Sequence, residues 1–187
     1  MLDRRLLPYW VTLFIVLLGA AVLLAMGRSL ICPCGTVLPW YGPTGTPDAN
    51  MHLTDWYTPS HLLHGFLFFF LLRLVARRVP IGWRLVAATA LEVGWEILEN
   101  TNWTIDRYRS TTVSTDYIGD SVVNSVTDVT FMLLGFWLAR RLPVWASLAI
   151  CIGFELLTAV VIRDGLTLNV IMFIHPMDWI LNWQTAG

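Results

Sequence analysis

Apolar residues run in long blocks along this chain, interrupted by short polar stretches. Five blocks, 6–26, 60–76, 81–100, 117–139 and 144–162, approach the roughly 20 residues that a helix needs to cross a hydrocarbon core. They predict an all-α fold: a polytopic transmembrane helical bundle of five spans, forming a single membrane domain over 1–187. Thr58-Pro59 opens the second block as a cap followed by proline in the first turn. The first block is too long for a signal peptide and lacks a small-residue cleavage site. A last apolar stretch, 166–183, is broken by His175-Pro176 and has no basic flank. It reads as an interfacial helix, with a sixth crossing as the alternative.

Arginine placement gives the orientation. Arg4, Arg5, Arg73, Arg77, Arg78, Arg84, Arg140 and Arg141 fall on one side of this map, and Arg28, Arg107, Arg109 and Arg163 on the other. The positive-inside rule then makes the N-terminus cytoplasmic. The Gly/Pro-rich segment 28–59 and the short connection 101–116 become outward-facing loops, periplasmic in a bacterial inner membrane. Trp10, Trp40, Trp56, Trp103, Trp179 and Trp183 suit an aromatic belt at the two interfaces.

Composition agrees. Hydrophobic residues make up 56% of the chain and charged residues 13%, about half the charged share of a soluble domain. The net charge of -1 excludes a nucleic-acid binder, which needs a basic face. All 12 basic residues are arginine. The cysteines, Cys32, Cys34 and Cys151, are odd in number, and Cys32-Pro-Cys34 is tight for a bridge. A disulfide framework is not expected; a shared metal or a strained redox pair are the alternatives.

Acid placement carries the chemistry. Glu92, Glu96 and Glu99 form one stripe on the third predicted helix, and Asp116, Asp120, Asn124 and Asp128 repeat every fourth residue along the fourth. Neither stripe belongs against lipid, where each charge costs on the order of 2.5–3.5 kcal/mol or more. The two stripes should therefore face each other. His61 and His64 open the second helix, and Arg107 and Arg109 lie in the connection 101–116, all toward the outer face. Glu96, Glu99, Asp120 and Asn124 are the expected catalytic residues. His61, His64 and Asp120 are the expected ligands of a divalent metal, and Arg107 and Arg109 the expected substrate-binding pair. Plainer roles compete: charge neutralisation for the arginines, helix capping for Asp116, and wetting by headgroups for the histidines. Glu92, Asp128 and Glu155 fall near mid-span, where polar packing between helices is favoured over a proton route.

Asp55-Trp-Tyr-Thr-Pro-Ser-His-Leu-Leu-His-Gly65, Gly94-Trp-Glu-Ile-Leu-Glu-Asn100, Ile105-Asp-Arg-Tyr-Arg109 and Asp116-Tyr-Ile-Gly-Asp-Ser-Val-Val-Asn124 resemble an uncharacterised, mostly alphaproteobacterial membrane family. Ile162-Arg-Asp-Gly-Leu-Thr-Leu-Asn169 and His175-Pro-Met-Asp178 extend the likeness, which covers about Cys32 to the C-terminus. The resemblance implies a multi-pass protein of the bacterial inner membrane and no activity. A weaker likeness is to VanZ-like membrane proteins, in the order His64, Glu96-Ile-Leu-Glu99, Arg109, Asp120-Ser-Val-Val-Asn124. Glu99 stands there for a usual glutamine and Thr127 for a usual glycine, so only shared architecture is implied.

Three functions are compatible with this pattern. A membrane-embedded hydrolase or transferase would act on a lipid or lipid-linked phosphate at the periplasmic face. An accessory subunit would dock onto a larger membrane protein complex through the long loop and the tryptophans. A proton or ion conduit would use the mid-span acids, but no internal repeat supports it. Membrane lipids are the expected partners in every case, with other membrane subunits in the second.

Overall fold

The structure, a computed structural model, describes residues 4–186. Among them it contains eight helices and no strand: α1 (Leu7–Ala25), α2 (Thr58–Val75), α3 (Ile81–Glu99), α4 (Asn102–Thr111), α5 (Val122–Arg141), α6 (Val144–Val161), α7 (Leu166–Ile174) and α8 (Asp178–Thr185). Four of them, α1, α2, α5 and α6, are long and apolar enough to cross a membrane. The fifth predicted span, α3, has 19 residues but carries Arg84, Glu92, Glu96 and Glu99, and its apolar character is lower for that reason. It hides Glu92 and Glu96 by facing them into the bundle, where both are buried.

The bundle centres on α2 and α5, which run side by side in the same direction. His61 faces Asp128, Gly65 faces Met132 and Phe69 faces Phe136. Two glycines permit the approach. A Cβ on Gly65 would collide with the Met132 carbonyl oxygen, and one on Gly135 with the Leu62 carbonyl. In lipid, where apolar side chains gain little by leaving their surroundings, such close backbone packing is a main source of helix association. Below the glycines lies a core of Phe66, Phe69, Met132 and Phe136, closed by Leu85 and Ala88 of α3. The outer helices α1 and α6 bury few residues and present Phe14, Leu17, Leu148, Leu156 and Val160 outward, as lipid-facing spans do.

Several local expectations are corrected. The connection 101–116 is not a plain loop: Thr101 caps α4, its hydroxyl accepting from Thr104 N. The predicted fourth span begins at Val122 rather than near 117. Gly119 adopts φ +94° just before it, a left-handed conformation that helical residues avoid. The cap of α5 is Ser121, whose Oγ accepts from Asn124 N at 3.1 Å; Asp116 is exposed and plays no capping role. The stretch 166–183 forms two short helices, of nine and eight residues, so neither crosses a bilayer alone. Cys32 and Cys34 are joined to each other by a disulfide, the pairing kept as an alternative to a shared metal.

The segment between α1 and α2 is folded onto the bundle. Its carbonyls at Ser29, Leu30 and Asn50 accept from the amides of Val122, Val123 and Ser121. The first amides of a helix have no partner within it, so this segment completes the start of α5. Met51 and His52 carbonyls take the side chains of Ser121 and Asn124.

The glycine contact is open to measurement. Gly135→Leu is expected to lower stability in detergent by about 1–3 kcal/mol through overpacking. Gly153→Leu on α6, where a Cβ meets nothing within 4 Å, should leave the unfolding midpoint within error of wild type.

Candidate functional site

Residues His61 and His64 sit one turn apart near the start of α2, facing α3. Glu92 lies between the two rings. Its Oε1 is 2.8 Å from His61 Nδ1, and its two oxygens are 3.1 and 3.0 Å from His64 Nδ1. A carboxylate can only accept, so Nδ1 of both rings donates to Glu92, and Nε2 is the nitrogen each ring turns to its other neighbours. Two more acids approach His61: Glu96 Oε1 at 3.4 Å from Nδ1, and Asp128 Oδ2 at 3.8 Å from Nε2. Among the described residues, the ion pairs of Glu92, Glu96 and Asp128 are all to these histidines. Glu96 Oε1 and Asp128 Oδ1 are buried without a hydrogen-bond partner.

A second polar group lies at the outer ends of α3 and α5. Asp120 accepts from Asn100 Nδ2 at 2.7 Å and from the Tyr117 hydroxyl at 3.0 Å, while its own amide donates to Asn100 Oδ1 at 2.8 Å. Burial pushes the Asp120 carboxyl up to about 7, against the opposing pull of the Asn100 and Tyr117 hydrogen bonds. Asp55, buried where the chain enters α2, accepts from the amides of Tyr57 and Thr58, and burial raises it too. Asn124 joins the two layers by donating to the His52 carbonyl and to Asp55 Oδ2.

Both groups open on one cavity of about 290 Å³. Its polar wall includes His61, His64, Glu99, Asp120 and Asp128, and its other wall is Trp95 with Leu166, Val170, Phe173 and Ile174 of α7. The arrangement has the two poles an amphipathic molecule requires: a set of acids and bases, and an apolar slot.

The structure brings several of the sequence-predicted residues together. Glu99, Asp120, His61 and His64 share the cavity, and Glu96 and Asn124 are buried beside it. The metal set His61, His64 and Asp120 is not assembled, because Asp120 is held by Asn100 and Tyr117 while Glu92, Glu96 and Asp128 come to His61. Glu92 and Asp128 are thus part of the site rather than remote packing. Glu155 does serve packing, accepting from the first amides of α7, Leu166 and Thr167, where a carboxylate also suits the helix dipole. The arginines are corrected as well. Arg107 donates twice to the Phe173 carbonyl and Arg109 to the Tyr117 carbonyl, and neither lines the cavity. They hold α7 and the 114–120 turn in place.

Asp164 went unnoticed in the sequence beyond its place in a family motif. It is 1% exposed and accepts from the Tyr57 hydroxyl, Gly165 N and Gln184 Nε2, with burial raising its carboxyl to about 6. It ties the start of α2, the α6–α7 junction and α8 together behind the cavity.

A family model described as "Protein of unknown function (DUF2585)" matches residues 23–186. This chain belongs to that family. It is 53% identical over 186 residues to a UPF0314 protein of Paracoccus denitrificans, covering 100% of this chain and 96% of that one. A UPF0314 protein of Rhizobium johnstonii is 49% identical over 177 residues (94% of this chain and 91% of that one). A third, of Brucella anthropi, is 47% identical over 180 residues (90% and 91%). No solved structure matches. The four apolar helices mark a membrane protein.

The raised Asp120 carboxyl has a pH signature. With its folded value near 7 against 3.8 when free, folding takes up a proton between those limits, so Asp120 makes the protein less stable as pH rises from about 4 to 7. Asp120→Asn, which mimics the protonated group, should remove that slope. The stability of the variant relative to wild type is expected to climb across the window by up to about 4 kcal/mol, read from unfolding in detergent at each pH. A difference that does not vary with pH would refute it.

Proposed function

We propose that this protein is a membrane-embedded hydrolase or transferase whose substrate is a lipid or a lipid-linked molecule. The observation that carries this reading is the cavity itself, with His61, His64, Asp120 and Asp128 on one wall and Trp95, Val170, Phe173 and Ile174 on the other. The apolar wall would hold a chain or isoprenoid, and the polar wall would do the chemistry. His64, oriented by Glu92, presents Nε2 as a general base, while His61, held by the same carboxylate, turns its Nε2 toward Asp128. Asp120, with a carboxyl near neutrality, is suited to give or take a proton at the other end of the cavity. Glu96 and Asn124 support these groups from behind, as positioning residues.

The phosphate half of the sequence reading changes support. With Arg107 and Arg109 bonded to backbone carbonyls, they no longer offer an anionic headgroup its seat. Acids dominate the polar wall, so a negative headgroup would approach it only with a cation between them. The periplasmic face remains the expected side, on arginine placement alone.

The test is a lipid profile. A strain lacking the gene should accumulate an amphipathic species that the wild-type gene clears. Genes encoding His64→Ala or Asp120→Asn should clear it at least ~100-fold more slowly at normal membrane levels of protein. If both variants restore the wild-type profile in full, the catalytic reading fails.

A further inference from the structure

We propose that His61, Glu96 and Asp128 form a binding site for one divalent transition-metal cation. The inference rests on reading the cavity as a site of chemistry and names what that chemistry works through. One ligand atom from each of the three side chains lies within 4.8 Å of the other two, and all three residues are buried. A tetrahedral ion bound at about 2.0–2.2 Å holds its ligand atoms roughly 3.3–3.6 Å apart; His61 Nε2 is 3.8 Å from Asp128 Oδ2, and Glu96 Oε1 approaches the same ring, 3.4 Å from Nδ1. The gap to Asp128 is too long for a hydrogen bond. The closer contact, Glu92 at 2.8 Å from His61 Nδ1, is a true hydrogen bond and belongs to an outer shell. It turns Nε2 toward Asp128, as a carboxylate behind a metal-binding histidine does.

Two further observations point to a cation rather than to a mere cluster of acids. Glu96 is 2% and Asp128 4% exposed, yet Glu96 Oε1 and Asp128 Oδ1 have no hydrogen-bond partner. A buried oxygen of this kind is costly unless something positive or protonated meets it. Among the described residues, the ion pairs of the three carboxylates around His61 are with imidazoles and not with arginine. A mixed imidazole and carboxylate set suits zinc, manganese or iron(II) better than magnesium or calcium, which prefer oxygen alone. His61 and Asp128 both line the cavity, so an ion between them would face the substrate. It would supply the positive charge that the displaced arginines do not, and it makes an anionic headgroup, a phosphate ester above all, the fitting substrate class.

Two other clusters are set aside: Cys32, Cys34 and His52, whose two sulfurs are bonded to each other, and His61, His64 and Glu92, whose ligand atoms already meet in direct hydrogen bonds.

The test uses the purified full-length chain in detergent, stripped with a chelator and titrated with cobalt(II), whose visible d–d bands report an ordered site. Elemental analysis for zinc, manganese and iron before stripping complements it. Wild type should take up one equivalent. Asp128→Asn and His61→Gln should bind more than about 100-fold more weakly, Glu92→Gln ~10–100-fold more weakly, and Cys34→Ser as wild type. Should a site variant fail to fold, the wild-type titration still decides: the absence of saturable, stoichiometric binding overturns the proposal. Binding that survives both ligand variants, or that is lost with Cys34→Ser, overturns it as well. Stoichiometric metal with an unchanged lipid profile upholds the site and sinks the lipid reading; the reverse result does the opposite.

Discussion

The approach of α2 to α5 at Gly65 and Gly135 sets everything else in this bundle. With no Cβ on either side, the two backbones meet, and the side chains one and two turns toward the outer face are brought to contact distance: His61 and Asp128 are the first pair beyond the glycines. A bulkier contact would separate the helices and leave Asp128 and Glu92 facing voids or lipid instead of imidazole. Close packing and the polar site are therefore one design. The glycine contact provides the stability that the buried carboxylates withdraw.

The electrostatics of that arrangement are lopsided. Carboxylates outnumber the histidines that face them along the α3–α5 seam, and Arg107 and Arg109 are anchored to backbone carbonyls. At low effective dielectric such an excess is not tolerated as bare charge. It must be relieved by protons, by an ion, or by both. Asp120, outside the spans and pushed up to about 7, shows the proton solution; the deeper group around His61 has the geometry of the ion solution.

Much of this was legible in the chain. The apolar blocks gave the number and rough ends of the long helices, because hydrocarbon thickness leaves little freedom. The acid stripe on α3 gave Glu96 and Glu99, because charge in a span must face inward. What escaped was set by single residues and by distant pairs. The four-residue rhythm of Asp116, Asp120, Asn124 and Asp128 imitates a helix, but Gly119 and the Ser121 cap begin the helix later. Arg107 and Arg109 sit in a polar stretch that hydropathy cannot tell from a loop, although Thr101 and Thr104 have the spacing of a cap. Glu92 reads in the sequence as mid-span polar packing, and only its distance to two imidazoles shows what it packs against. Tyr57 and Asp164 lie 107 residues apart, and no local pattern links them.

The dependence of α5 on the segment before α2 has a consequence for biogenesis. Ser29, Leu30 and Asn50 are synthesised well before the amides that they receive exist. Until α5 arrives, those carbonyls have only water, and that face of the protein stays open. The last major polar seam to close is then the one that carries the site, so a chain stalled during insertion is held with its histidines and Asp55 in place and their α5 partners missing.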